Sequence, residues 1–264
     1  MQYGVDRFLE VRTAYCPSFS PDGRSIVYLT DTTGLPQVWK VDLADPVPKQ
    51  ITSLDDRIAL VRYSPVTRHL IIAMDSDGDE NMQLFLVDDT GTSCEPLTAN
   101  PAARHLFGGW SPDGRRIAFY ANIRNRAYFD LYVMDLVTRT TRQVYENNVL
   151  GDPAAFWMGN STLITAVSES SSKQTLFYVD LLTGQVRKML DTDDESSLGA
   201  AEPDPVGQRL YVTTYLNSDF HGLATLDLSR QDPVGKDAGL GRGKPGTCPG
   251  WTHACVYHKR RWLL

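Results

Sequence analysis

Apolar and polar residues alternate along this chain in short stretches punctuated by turn residues, the period of β-strands; no stretch carries apolar residues at the spacing of three and four that marks an amphipathic helix. The clearest stretch runs from Phe107 to Leu136. Within it Trp110-Ser111-Pro112-Asp113-Gly114 is turn chemistry, because proline presets φ and glycine accepts a positive φ, and Arg115-Arg116-Ile117-Ala118-Phe119-Tyr120 has strand composition. After a polar gap, Phe129-Asp130-Leu131-Tyr132-Val133-Met134-Asp135-Leu136 reads as a further strand. Side chains alternate along it, so Leu131, Val133 and Asp135 face opposite to Tyr132, Met134 and Leu136.

The same pattern recurs. Phe19-Ser20-Pro21-Asp22-Gly23 leads into Ser25-Ile26-Val27-Tyr28-Leu29 and then Gln37-Val38-Trp39-Lys40-Val41-Asp42-Leu43; Tyr63-Ser64-Pro65 leads into Leu70-Ile71-Ile72-Ala73 and Gln83 to Asp88. A fourth copy runs from Phe156 through Leu163-Ile164-Thr165-Ala166 to Leu176–Leu181, and a fifth from Asp204 through Leu210-Tyr211-Val212 to Leu223–Leu228. With Ser20, Ser64, Ser111, Trp157 and Asp204 as equivalents, the steps are 44, 47, 46 and 47 residues. That period, strand after strand, predicts an all-β protein, a β-propeller of about five four-stranded blades. The blades are expected at 15–54, 55–98, 99–145, 146–191 and 192–232, after a lead-in at 1–14 and before an irregular tail at 233–264. Their outer strands read as Lys49–Thr52, Glu95–Thr98, Arg142–Tyr145 and Arg187–Leu190. Trp39, Phe85, Tyr132 and Phe177 occupy one repeat position and are expected in the core between blades.

Composition then narrows the functional classes. The net charge of −6 is uneven: residues 233–264 hold six basic residues against Asp237, leaving 20 basic and 31 acidic residues elsewhere. An acidic body argues against nucleic acid, whose binding rests on neutralised phosphates. No apolar run is long enough to cross a membrane, and Met1 to Arg7 lacks a basic segment leading into an apolar one, so the expectation is a cytoplasmic protein with no membrane partner. Cys16, Cys94, Cys248 and Cys255 show no framework spacing and read as free thiols. The tail crowds two of the four cysteines and two of the five tryptophans where a fifth outer strand is due, and is read as an out-of-frame or truncated end.

The repeats together with their non-repeated insertions resemble the N-terminal propeller of the prolyl oligopeptidase family of serine peptidases, in its acylaminoacyl-peptidase and dipeptidyl-aminopeptidase-like branch. The matching segments are Gly34-Leu35-Pro36-Gln37-Val38-Trp39, Asp75-Ser76-Asp77-Gly78-Asp79-Glu80-Asn81-Met82-Gln83-Leu84-Phe85, His105-Leu106-Phe107-Gly108-Gly109-Trp110 and Asn122-Ile123-Arg124-Asn125. The family usually has glycine where this chain has Asp77. The resemblance spans residues 1–232 and implies a seven- or eight-bladed ring, relative to which five blades are incomplete, capping an α/β-hydrolase domain with a Ser-Asp-His triad. That domain is not expected here. Gly-x-Ser begins at Gly23, Gly91, Gly109 and Gly159, none with the closing glycine of a nucleophile elbow, and Ser111, the nearest match, is a turn residue. Peptide substrates would be partners of the complete enzyme.

Other constellations have two readings each. Asp75, Asp77, Asp79 and Glu80 are either the start of a calcium loop or a solvated hairpin tip; glycine and glutamate are missing from the sixth and twelfth positions of an EF-hand counted from Asp75, which hold Glu80 and Leu86. Cys248, His253, Cys255 and His258 are zinc-type residues at no familiar spacing. The run Asp191-Thr192-Asp193-Asp194-Glu195 is a solvated loop or a lure for a peptide's amine, and His69, His105 and His221 stand apart from any paired nucleophile. No catalytic, cofactor-binding or metal-ligating residue is assigned, and no cofactor. The expected function is the substrate-gating propeller of a prolyl-oligopeptidase-type peptidase, inactive alone; the alternative is a free-standing propeller that binds a protein or peptide. Five blades either close on themselves or, as favoured here, stay an open arc that would self-associate through its free edges, so sizing chromatography is expected to show species larger than a monomer. Translation of the other two reading frames beyond codon 232 is expected to resume the repeat.

Overall fold

The computed structural model describes residues 12–151, 153–168, 174–191, 198–204, 209–214 and 222–227. They form nineteen strands and no helix, in five antiparallel sheets that follow one another along the chain as the blades of a β-propeller. Blade one is β1 (Ala14–Phe19), β2 (Ser25–Thr30), β3 (Gln37–Asp42) and β4 (Asp45–Gln50). Blade two is β5 (Ile58–Tyr63), β6 (His69–Met74), β7 (Gln83–Asp88) and β8 (Cys94–Pro96), and blade three is β9 (His105–Trp110), β10 (Arg116–Asn125), β11 (Tyr128–Asp135) and β12 (Thr141–Tyr145). Blade four is β13 (Ala154–Trp157), β14 (Thr162–Ser168), β15 (Gln174–Asp180) and β16 (Val186–Asp191); of blade five, β17 (Leu198–Pro203), β18 (Arg209–Thr214) and β19 (Gly222–Asp227) are described. The tail at 233–264, with its cysteines and histidines, lies outside the described residues, as do residues 192–197 and His221.

The turn that defines the repeat is a self-contained unit of hydrogen bonds. In blade three Ser111 Oγ donates to Asp113 Oδ1 at 2.6 Å and accepts the Arg116 N–H at 2.9 Å, while Gly114 N–H donates to the Ser111 carbonyl at 2.8 Å with φ +66°. Blade one repeats this with Ser20, Asp22, Gly23 and Ser25. The Ser20 hydroxyl, and after it the Arg24 N–H, pull the Asp22 carboxyl down to a pKa of about 2. Blade two, without Asp and Gly, closes on Ser64 Oγ alone, which accepts from Val66 and Thr67.

Alternation then divides each blade into two faces, and the seams between blades are the core. Val27, Leu29 and Val38 pack on Ile58, Val61, Leu70, Ile72 and Val87. The other face of blade two, with Ile71, Ala73 and Leu84, meets Ile117, Phe119, Ala121 and Met134; blade three then turns Ala118, Tyr120, Leu131 and Val133 to Ala155, Trp157, Leu163 and Val179. Ile164, Ala166 and Leu176 continue to Leu210 and Val212. The expected division of β11 is therefore observed. Phe85, Tyr132 and Phe177 occupy seams as expected, but Trp39 does not pack between two described blades: it lies on the face of blade one turned away from blade two.

Two outer strands depart from the sequence reading. In blade one the outer strand is Asp45–Gln50 rather than Lys49–Thr52, and in blade two it is Cys94–Pro96 rather than Glu95–Thr98. The reason is a repeated capping bond: Thr52 Oγ1 accepts the Val38 N–H at 2.8 Å and Thr98 Oγ1 accepts the Leu84 N–H at 2.9 Å, so each threonine replaces a strand partner by its side chain. Polar contacts reinforce the seams. Tyr120 Oη and Thr165 Oγ1 share a buried hydrogen bond of 2.8 Å, Trp157 Nε1 donates to the Gly109 carbonyl at 3.1 Å, and Asp89 receives Lys40, Tyr63 and Arg68, the last of which also reaches Asp22.

At Gly91, φ +77°, a Cβ would lie 1.9 Å from the Ile51 carbonyl oxygen, so blade two's outer turn abuts the chain leaving blade one. Gly184 has a similar φ of +73° but open space around it. Gly91→Ala is expected to lose about 2 kcal/mol or more and Gly184→Ala about 1 kcal/mol, because only the first adds a backbone collision to the left-handed cost. Urea unfolding of the two variants measures the difference.

Candidate functional site

Ser111, the nearest approach to a hydrolase nucleophile, is 0% exposed and has its hydroxyl committed to Asp113 and to the Arg116 N–H. Its partners are those of a turn, and no histidine is among them. His105 is buried beneath Phe119, with a ring centroid separation of 5.8 Å, and its Nδ1 lies 3.3 Å from the Met82 carbonyl. Burial pushes its pKa down, against a smaller upward pull from the Met82 and Ala103 carbonyls. It is a packed histidine. His69 is exposed and bonds Thr67.

The acidic insertion Asp75 to Glu80 folds as a compact hairpin tip between β6 and β7. Asp75 takes Arg57 Nε at 3.3 Å and Nη2 at 3.2 Å, and accepts the Glu80 N–H at 3.2 Å. Asp77 N–H donates to Asp56 Oδ1, and Asp79 accepts from Asn81. Asp77, Gly78 and Glu80 all have positive φ, 54°, 74° and 62°, which winds the tip tightly. Of the four carboxylates the calcium reading would need, those of Asp75 and Asp79 are thus spent on protein donors, and among the described residues no three His, Cys, Asp or Glu side chains gather as a metal site.

Chain direction brings the second-to-third-strand hairpins and the connections between blades to one end of the molecule. Blade two's sector there is acidic, with Asp55, Asp56, Asp77, Asp79 and Glu80. Blade three's is basic, with Arg104, Arg124 and Arg126. Arg124 is anchored by a two-pronged pair to the buried Asp130, at 2.9 and 3.0 Å, and also donates to the Asn147 carbonyl and Asn148. Exposed Leu35, Ile123 and Leu150 lie at the same end. This end offers a rigid, charge-divided surface, and the described residues place no nucleophile beside a base there.

Sequence reading missed the residues that hold this end together. The equivalent third-strand position, five residues before the closing aspartate, is Gln37, Gln83 and Asp130 in successive blades, and each reaches forward to the connection toward the next. Gln37 bonds Leu54 and Asp56, Gln83 bonds Asn100 and Ala103, and Asp130 bonds Asn147. The available signal was a polar residue at one repeat position immediately before an apolar one.

No protein-family model and no curated protein matches the chain. Solved structures do. The putative TolB from Agrobacterium tumefaciens matches at 20% identity and TM-score 0.60, over 83% of this chain and 78% of that one. A prolyl endopeptidase matches at 12% identity and TM-score 0.65 over 85% of this chain, and the acylaminoacyl peptidase of Pyrococcus horikoshii at 16% and 0.57 over 80%. The chain spans 35% and 37% of the length of these two peptidases. At such identities the likeness is one of fold, a β-propeller that resembles peptidase propellers and TolB alike. No helix among the described residues is long and apolar enough to cross a membrane.

Arg57→Met would leave Asp75 buried without its cation, while Arg57 itself is 47% exposed and already partly solvated. The variant is expected to be less stable than wild type at pH 7. Arg57 holds the Asp75 pKa below its ordinary value, so this stabilisation is present above about pH 4 and lost below it. The stability gap between wild type and variant, measured by urea titration across pH, is expected to close as the solution is acidified.

Proposed function

We propose that this chain is the substrate-gating propeller of a prolyl-oligopeptidase-type serine peptidase, with hydrolysis belonging to an α/β-hydrolase domain and the propeller inactive by itself. The observation that carries the reading is a contact. Two of the segments on which the family resemblance rests, Asp75 to Phe85 in blade two and His105 to Trp110 in blade three, meet directly, the His105 N–H donating to the Met82 carbonyl at 2.8 Å and its Nδ1 lying 3.3 Å from the same oxygen. The Ile58 N–H makes the equivalent bond to the Pro36 carbonyl at 2.9 Å, so the contact belongs to the repeat, and here it sets the Asp75–Glu80 tip beside blade three at the charge-divided end. The fold likeness to a prolyl endopeptidase and an acylaminoacyl peptidase supports the same reading. On this reading the acidic sector of blade two attracts a peptide's amine and the arginines of blade three its carboxylate.

A second reading, a propeller that binds a protein partner, is favoured by the larger share of the TolB structure that the chain covers, 78%. The readings part at the DNA. Under the first, the coding sequence beyond codon 232 is expected to contain Gly-x-Ser-x-Gly followed by an aspartate and a histidine in one of its three frames; if all three lack it, the second reading stands. The purified chain is expected to take no label from a fluorophosphonate probe and to leave aminoacyl nitroanilides uncut. Labelling would show a nucleophile in this chain and overturn the division of labour.

A further inference from the structure

The face of blade one turned away from blade two has the composition of a seam. By register it carries Phe19, Ile26, Tyr28, Trp39 and Val41, since Phe19 pairs with Ile26, Ile26 with Val41 and Tyr28 with Trp39. The equivalent residues of blade two, Tyr63, Leu70, Ile72, Phe85 and Val87, are packed against blade one; those of blade three, Trp110, Ile117, Phe119, Tyr132 and Met134, against blade two. Yet Phe19 is 55% exposed, where Tyr63 is 5%. At the other end of the row, blade five buries Leu210 and Val212 toward blade four, and its opposite face holds Tyr211, Thr213, Leu223 and Thr225. Leu223 there is 60% exposed, although its equivalents Val38, Leu84, Leu131 and Leu176 all belong to seams.

We infer that these two faces bind each other between copies of this chain, head to tail, the Leu223 face of one molecule on the Phe19 face of the next. Three observations select a second copy as the occupant. The seam this would create is the one the chain already makes between successive blades, a Val38-type face received by a Tyr63-type face. By register Glu202 and Arg209 stand on the Leu223 face beside Tyr211, and the same two positions are Arg62 and His69 on the face that blade two turns to blade three, so charge at these places is compatible with a seam. And the two faces are different, so the contact is heterologous and leaves one free face at each end of a pair unless the rotation closes a ring.

The test is light scattering coupled to size exclusion, with sedimentation as a check, on the full chain and on Phe19→Lys and Leu223→Lys. Both positions are more than half exposed, so the charges are tolerated in the monomer, and circular dichroism verifies the fold; Phe19→Ala is the milder substitute. Wild type is expected to rise above its 29.5 kDa monomer mass as concentration increases through tens of micromolar. Each variant alone stays monomeric, because each has lost one of the two faces. Mixed in equal amounts they form a one-to-one complex and stop there, Phe19→Lys contributing its intact Leu223 face and Leu223→Lys its intact Phe19 face. A wild type that remains monomeric throughout overturns the inference and means that the chain covers its own terminal faces. A Leu223→Lys variant that still dimerises overturns it in favour of symmetric pairing through blade one.

Discussion

A strand shows its residues to two sides in strict alternation, and a sheet built of such strands therefore has two faces to satisfy. Everything in this molecule follows from that requirement. Blades two, three and four are apolar on both faces because each is sandwiched, and their second strands read as nearly unbroken apolar runs: Leu70-Ile71-Ile72-Ala73, Ile117-Ala118-Phe119-Tyr120-Ala121, Leu163-Ile164-Thr165-Ala166. Odd and even members of each run belong to different seams, so the four apolar clusters are successive slices of a core that no single blade owns.

The outer strands show the opposite pressure. They have no neighbour on one edge and must not recruit one. β4 is exposed along its whole length and carries Pro46 and Pro48, which cannot donate to a pairing strand, and β8 is only three residues long. The Thr52 and Thr98 bonds that end these strands early serve the same purpose, turning a ladder donor inward to a side chain.

Much of this was legible in the sequence because it is periodic. The Ser-Pro-Asp-Gly turns, the apolar runs and the closing Asp of each third strand recur at a nearly constant step, so strand order and blade number could be read from residues such as Ser20, Ser111, Asp42 and Asp135. The outer strands could not be placed as well, because they bury little and their ends are set by side-chain bonds from Thr52 and Thr98 rather than by hydrophobicity. The hairpin tip at Asp75 was legible as a turn, but its lock on Arg57 was not, since partners eighteen residues apart carry no local signature. Trp39 shows the limit of repeat logic: its position predicted a seam, and it lies instead on a face that a seam would need a further blade, or a further molecule, to complete.

Gln37, Gln83 and Asp130 all reach in the same direction along the chain, from a finished hairpin toward the segment that has only just followed it. A polypeptide emerging from a ribosome could therefore secure each sheet as soon as the next dozen or so residues appear, without waiting for its distant end. Assembly of this kind is directional, and it makes the amino-terminal sheets the template on which the later ones settle.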